Sequence, residues 1–304
     1  MGASTAFNLV LRRTPREVVL LDSRPEMITS HAMDLEQVLE QAPGCSVRGG
    51  DASDLADADV VVLISATPLT VGTSRLEYLG KNALIADEIA GALPAGWGGV
   101  LLVVTNPVDP LVTRLQRRTG LDRRRVLGYT LNDSLRMRTG LAKAMGLPPG
   151  SVDSWVVGEH GDMSVPLYSR VRVDGEKVQP TDAQIAAAED YQRTWYVKHV
   201  ALDSGRSSTW TSGLGVSRMV AALDSDGGLW PASVVLEGEY GIQGVAVSVP
   251  VTLGRGGAER IHEWDLTPAE LTALHASAEF VRAAVESVSD LATRGSDPRP
   301  SRRS

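Results

Sequence analysis

The sequence predicts an α/β protein: a Rossmann-type, doubly wound parallel sheet followed by an α+β domain. Three observations carry this. The aliphatic runs EVVLLD (17–22), DVVVLIS (59–65) and VLLVVTN (100–106) are continuous, not alternating, as strands buried on both faces require. Between them, RPEMITSHAMDLEQVLEQA (24–42) and SRLEYLGKNALIADEIAGAL (74–93) repeat apolar residues three or four apart, the period of a helix. After about residue 128 the strand and helix alternation gives way to adjacent strands.

In chain order, MGASTAFNLVLRR (1–13) is a glycine opening a helix, with small Ala3, Ser4 and Ala6 leading into Phe7, Leu9, Val10 and Leu11. The strand at 17–22 ends in Asp22, about twenty residues after Gly2. Helix, strand and acid form the second half of a dinucleotide-binding unit, whose opening strand and glycine-rich turn come before the helix. At that spacing Asp22 can accept hydrogen bonds from ribose hydroxyls and disfavour a 2′-phosphate, which points to NAD over NADP; a plain turn aspartate is the alternative.

Beyond residue 128 the pattern predicts a helix over 131–146, alternating residues at PLYSRVRVDG (166–175) and two helices across 182–223. The strand pair SVVLEGEYG and VAVSVPVTLG follows, then a last helix over 267–292. This divides the chain into a dinucleotide-binding domain (1–128), a second domain (129–293) and a tail (294–304) whose proline, serine and charge give it no apolar face.

A net charge of −7 with no long basic run argues against nucleic acid or an anionic membrane as partner, and leaves small molecules. The single Cys45 excludes an internal disulfide, and no apolar run reaches the ~18 residues of a membrane span. Without a secretory leader, the expected location is cytoplasmic.

Four stretches can carry chemistry. GEHGD (158–162) sets His160 between glycines and acids after an apolar strand, which suits a general acid/base of near-neutral pKa. NDSLRMR (132–138) puts Asp133 and Arg136 three apart on one helix face, able to fix an imidazole and to grip a carboxylate; an ordinary ion pair is the bland alternative. PLTVGTSRLEYL (68–79) is a glycine-containing loop with Arg75 at its junction with a helix. TNPVDPL (105–111) follows a buried strand and presents Asn106 at the carboxyl edge of the sheet.

In chain order, NPVDPL, the D-x-x-R of NDSLRMR, GEHGD and LEGEYGIQGVAVSVPVTLGRGG resemble the L-lactate/malate dehydrogenase family, from Gly2 to about Val288. The resemblance implies NAD as cofactor, contacted by Gly2, Asp22, Asn82 and Asn106. It implies His160 as proton donor and acceptor with Asp133 as partner, Arg136 on the substrate carboxylate, Arg75 polarising the carbonyl, and Asn106 beside both ligands. Malate enzymes of the family carry an arginine three residues before the loop glycine. Counting back from Gly72 gives Leu69, with Pro68 and Thr70 beside it, and none is cationic. An unpaired second carboxylate there is costly, so lactate or a bulkier apolar 2-hydroxy acid is expected over malate. Ser208 lies on the opposite wall, where Trp210 is expected to limit size.

The family also implies a homodimer or homotetramer, and a basic pair at Arg138 and Arg170 suggests an anionic effector such as a sugar bisphosphate. Its members begin with a strand and G-x-G-x-x-G, of which Gly2 is the last glycine. The expectation is a start codon set inside the gene, with about thirty or fewer native residues ahead of Met1 and weak NAD binding by the chain as written. Rival readings are a malate dehydrogenase, a truncated inactive paralogue, and an NAD-dependent glycosidase, which would need a metal site.

Overall fold

The computed structural model describes residues 1–67, 75–202, 208–225 and 227–294, with the side chains of 75–76, 200 and 289–294 excepted. Leu69, Pro68, Thr70, Gly72 and the tail from 295 onward lie outside the described residues.

The first half runs α1 (Gly2–Leu11), β1 (Glu17–Leu20), α2 (Pro25–Val38), β2 (Ser46–Gly49), β3 (Val60–Leu63), α3 (Arg75–Ala92), β4 (Val100–Val103), α4 (Val108–Thr119) and β5 (Val126–Tyr129). The second runs α5 (Leu131–Met145), β6 (Val152–Asp153), β7 (Val156–Gly158), β8 (Ser164–Pro166), β9 (Arg172–Val173), β10 (Glu176–Lys177), α6 (Asp182–Ala201), α7 (Thr209–Leu223), β11 (Leu229–Glu237), β12 (Gln243–Gly254), β13 (Gly257–Ile261) and α8 (Pro268–Arg294).

Strands β3, β4 and β5 pair in parallel, with Val60 opposite Val100 and Leu101 opposite Val126. All four β4 residues are buried, so the continuous VLLV run is a central strand covered on both faces. The sheet does not stop at the end of the first half. β5 pairs antiparallel with β11, Gly128 opposite Ser233 and Tyr129 opposite Ala232, and the ladder goes on through β12, β7 and β8. Gly128 is required at this seam, because a Cβ would sit 2.7 Å from both Ser233 Cβ and Val108 Cγ2.

β1 and β2 form a separate parallel pair. Among the described residues β1 is hydrogen-bonded only to β2, and β3 only to β4. Val18 and Leu20 of β1 and Val60 and Val62 of β3 wall the same cavity.

Helices cover both faces. On one, α4 buries Val108, Leu111, Val112 and Leu115 completely. On the other, α1 buries Ala6, Leu9 and Val10 and crosses α7 so closely that a Cβ on Gly213 would meet Ser4 Oγ at 2.2 Å. The long α8 adds Leu274, Ala278 and Val281 to the core.

Three elements differ from expectation. β2 was hidden because SVRG has one aliphatic residue and alternates in burial. The α4 stripe begins at Pro107-Val108, where the prolines read as a turn. The alternating 166–175 stretch holds only the last residue of β8, a 3₁₀ turn (Tyr168–Arg170) and the two-residue β9, with β10 following it.

Candidate active site

The site assembles where the carboxyl ends of β3 and β4 face the β7–β8 turn, along a cavity of ≈ 3350 Å³. β7 ends at Gly158 with φ +84°, and a Cβ there would lie 2.8 Å from Ser277 Oγ, so only glycine lets the chain turn at this point. The next residues are tied down in sequence. Glu159 N–H donates to Ser277 Oγ (2.6 Å), His160 N–H donates to Asp109 Oδ2 (2.7 Å), and Met163 N–H donates to Glu159 Oε2 (3.0 Å). The His160 backbone is thus held by α4 and α8 before its ring makes any contact.

The ring is held by α5. His160 Nδ1 donates to Asp133 Oδ2 at 2.5 Å, which leaves Nε2 as the other ring nitrogen for a ligand. Asp133 lies in the first turn of α5, and Arg136 Nη1 stands 3.6 Å from its other oxygen, Oδ1. One carboxylate therefore bridges an imidazole and a guanidinium, and all three side chains line the cavity. Burial opposes the charged imidazolium, but the Asp133 and Asp109 carboxylates more than offset it and hold His160 above its ordinary pKa.

Asp109 was not singled out from the sequence. It is 1% exposed, and burial pushes its carboxyl up to about 7, partly opposed by the His160 N–H it accepts. The buried Ser233 hydroxyl beside it also favours the ionised form. The only signal in sequence was an acid just inside an apolar helix stripe.

Asn106 is exposed at the carboxyl end of β4 and lines the cavity, as do Gly2 and Asp22. The slight burial of Asp22 opposes its ionisation, but hydrogen bonds from Arg24 (N–H 3.0 Å, Nε 3.2 Å) hold its carboxyl below the usual range. A Cβ on Gly2 would meet nothing within 4 Å, so the start of α1 is open towards the cavity. An acid for a ribose, an open helix start and a carboxamide thus share one long cavity, and this fits a dinucleotide.

Asn82 is not among the residues that line the cavity. It is fully buried, with Oδ1 accepting from Thr67 N–H (2.8 Å) and Nδ2 donating to the Asn106 carbonyl (2.7 Å). Both ends of its amide are anchored on backbone, and one of these bonds holds the Asn106 carbonyl. Arg75 opens α3, but its side chain lies outside the described residues. Ser208 caps α7 and lines the cavity near Ser212. Trp210, expected to limit pocket size, is 69% exposed and is not among the lining residues.

Arg138 Nη2 pairs with Asp153 at 2.7 Å and Nε donates to the Ser154 carbonyl, while Arg170 lies 4.2 Å over the Trp264 ring. The fork of Arg138 is thus already engaged within the chain.

A doubly wound sheet that presents a dinucleotide cleft to a His–Asp pair and a neighbouring arginine defines an NAD-dependent oxidoreductase. Comparison with known proteins narrows the class. Residues 1–128 match the lactate/malate dehydrogenase NAD-binding domain, and residues 130–292 match the lactate/malate dehydrogenase alpha/beta C-terminal domain. The chain belongs to the lactate/malate dehydrogenase family. It is 34% identical over 296 residues to a malate dehydrogenase of Halobacterium salinarum, covering 95% of this chain and 96% of that protein. It is 31% identical to an L-lactate dehydrogenase of Treponema denticola, covering 93% and 94%. The solved structure of the minor L-lactate dehydrogenase from Enterococcus mundtii superposes with a TM-score of 0.87 at 27% identity over 95% of each chain. The malate dehydrogenase from Aeropyrum pernix gives a TM-score of 0.87 at 26% over 94% of each.

Proposed function

We propose that the chain interconverts an L-2-hydroxy acid and its 2-oxo acid, either lactate and pyruvate or a bulkier apolar pair. One observation carries the reading: Asp133 touches both His160 (2.5 Å) and Arg136 (3.6 Å) on the wall of one cavity. NAD, when bound, supplies or accepts the hydride.

Arg136 takes the substrate carboxylate through its planar fork, which orients the 2-carbon. His160, protonated for reduction, donates from Nε2 to the carbonyl oxygen and takes the proton back in oxidation. Asp133 fixes the tautomer with Nδ1–H inward and stabilises the imidazolium. Asn106 stands beside substrate and cofactor, Asp22 and Gly2 serve the ribose and pyrophosphate, and Arg75 polarises the carbonyl. Ser208 and the 68–74 loop, Leu69 included, bound the substrate side chain.

The PLTVGTS loop (68–74) has no arginine or lysine to meet a second carboxylate, which favours a monocarboxylate. The 34% identity to the malate dehydrogenase of Halobacterium salinarum supports malate as the second reading. NADH oxidation with pyruvate, 2-oxoisocaproate and oxaloacetate decides between them. Oxaloacetate used with a kcat/KM more than about tenfold above both others overturns the preference.

The same reading carries a cytoplasmic homodimer or homotetramer, for which exposed Phe7 and Leu11 on α1 and Leu214 on α7 are candidate contacts; light scattering of the purified chain tests it. An anionic effector at Arg138 and Arg170 must displace Asp153. Fructose bisphosphate that leaves both saturation kinetics and oligomeric state unchanged removes it.

A further inference from the structure

Arg136 carries five N–H donors, yet among the described residues no protein acceptor lies within hydrogen-bond distance of it, and its side chain is only 19% exposed. Asp133 at 3.6 Å attracts the guanidinium without fixing its plane. The contact that does fix it comes from α6: the Arg136 guanidinium carbon lies 4.5 Å from the centre of the Trp195 ring. Trp195 is itself stacked on His199, one helical turn further on, with ring centres 5.0 Å apart and planes 9° from parallel.

The placement is enforced by the helix pair. α5 and α6 cross so closely that a Cβ on Gly140 would be 3.0 Å from the Ala188 backbone. One turn back along α5 is Arg136, and two turns on along α6 is Trp195. Further contacts hold α6 in this register: Gln192 Nε2 donates to Ser164 Oγ, the Tyr168 hydroxyl donates to Glu189, and Lys143 lies 4.8 Å over the Tyr191 ring. The neighbouring Tyr196 lines the cavity, whereas Trp195 is not among the lining residues and reaches the site only through Arg136.

We propose that Trp195 is the positioning residue for Arg136: its indole face fixes the guanidinium plane so that the open donors face the cavity as a ready carboxylate fork. This rests on the reading that Arg136 takes the substrate carboxylate. The ring attracts the cation through its quadrupole and, unlike an acidic partner, uses none of the donors that a carboxylate ligand needs. Carboxylate binding is shared by ground and transition states, so the effect falls on KM and not on kcat.

The test is steady-state NADH oxidation with a 2-oxo acid by the wild-type chain and by Trp195→Phe, Trp195→Leu and Trp195→Ala, with a thermal melt of each. Phe keeps an aromatic face, while Leu keeps apolar bulk and loses the face. The expected result is a KM raised roughly five- to thirty-fold in Trp195→Leu, kcat within about threefold, and Trp195→Phe close to wild type. A Leu variant that folds and matches the wild-type KM overturns the proposal, as does a Phe variant as impaired as Leu. If Trp195→Ala fails to fold, the Phe and Leu pair still decides. A wild-type chain that turns over no 2-oxo acid overturns the functional reading itself, and this inference with it.

Discussion

Replacing Asp133 by asparagine removes the charge beside His160 and keeps the shape. The carboxylate accepts from Nδ1 at 2.5 Å in a buried setting, and a charge separation near 4 Å at an effective dielectric of about 20 corresponds to about 4 kcal/mol. Part of that survives as a neutral hydrogen bond to the amide oxygen, so a loss of about 3–4 kcal/mol, roughly 10²- to 10³-fold in kcat/KM, is expected at neutral pH. Reduction needs the imidazolium, so its kcat/KM falls as pH rises through the His160 pKa. Asp133 helps hold that pKa up, and its removal moves the fall to lower pH. Oxidation needs the neutral ring, so its rise moves to lower pH as well. The assay is the pH–rate profile in both directions, followed by NADH absorbance. A descending limb at the wild-type pH, or a loss below about tenfold, refutes the role given to Asp133.

Asp109 titrates near 7 in the folded chain against 3.8 as a free side chain, so its burial costs stability progressively as pH rises from 4 and in full above 7. Asp109→Asn, which retains an acceptor for His160 N–H, is therefore expected to be more stable than wild type by about 2–4 kcal/mol at pH 8, the gap closing towards pH 4; equal denaturant midpoints at pH 8 contradict this. Arg136→Lys exchanges a fork for a point charge and should lower kcat/KM by about 10- to 100-fold, chiefly through KM, whereas unchanged kinetics would place the carboxylate elsewhere. Gly213→Ala drives a methyl into Ser4 and should cost about 1–3 kcal/mol in chemical denaturation with little effect on KM; an unshifted midpoint would mean that α1 and α7 yield freely.

His160, Asp133 and Arg136 were legible because their chemistry and spacing are local: two motifs give the residue types, and one helical turn places two of them together. What brings the motifs to 2.5 Å is tertiary, the packing of β7 against α5, and only the family resemblance anticipated it. The anchoring of the Asn82 amide on the Thr67 and Asn106 backbone leaves no signal in the sequence, because it depends on how α3 packs against the ends of β3 and β4. Asp109 and Trp195 were invisible for a related reason: each acts through another side chain or through backbone, and such roles leave no spacing to detect. The fold followed the same rule. VLLV and VVVL announce buried strands, but SVRG at β2 is a strand by virtue of its partner β1.

The pairing of β5 with β11 carries a consequence for motion and assembly. Asn106, at the end of β4, and His160, after β7, hang from one continuous hydrogen-bonded sheet, with Gly128 opposite Ser233 at the seam. The two halves therefore cannot close on a ligand like a hinged book without breaking backbone pairs. The distance between the carboxyl end of β4 and the β7–β8 turn is a fixed property of the scaffold, and any closing motion must come from segments off the sheet. Cutting the chain after residue 128 would strip β5 of its antiparallel neighbour and expose a row of donors and acceptors. The chain should accordingly melt in a single calorimetric transition despite carrying two family domains.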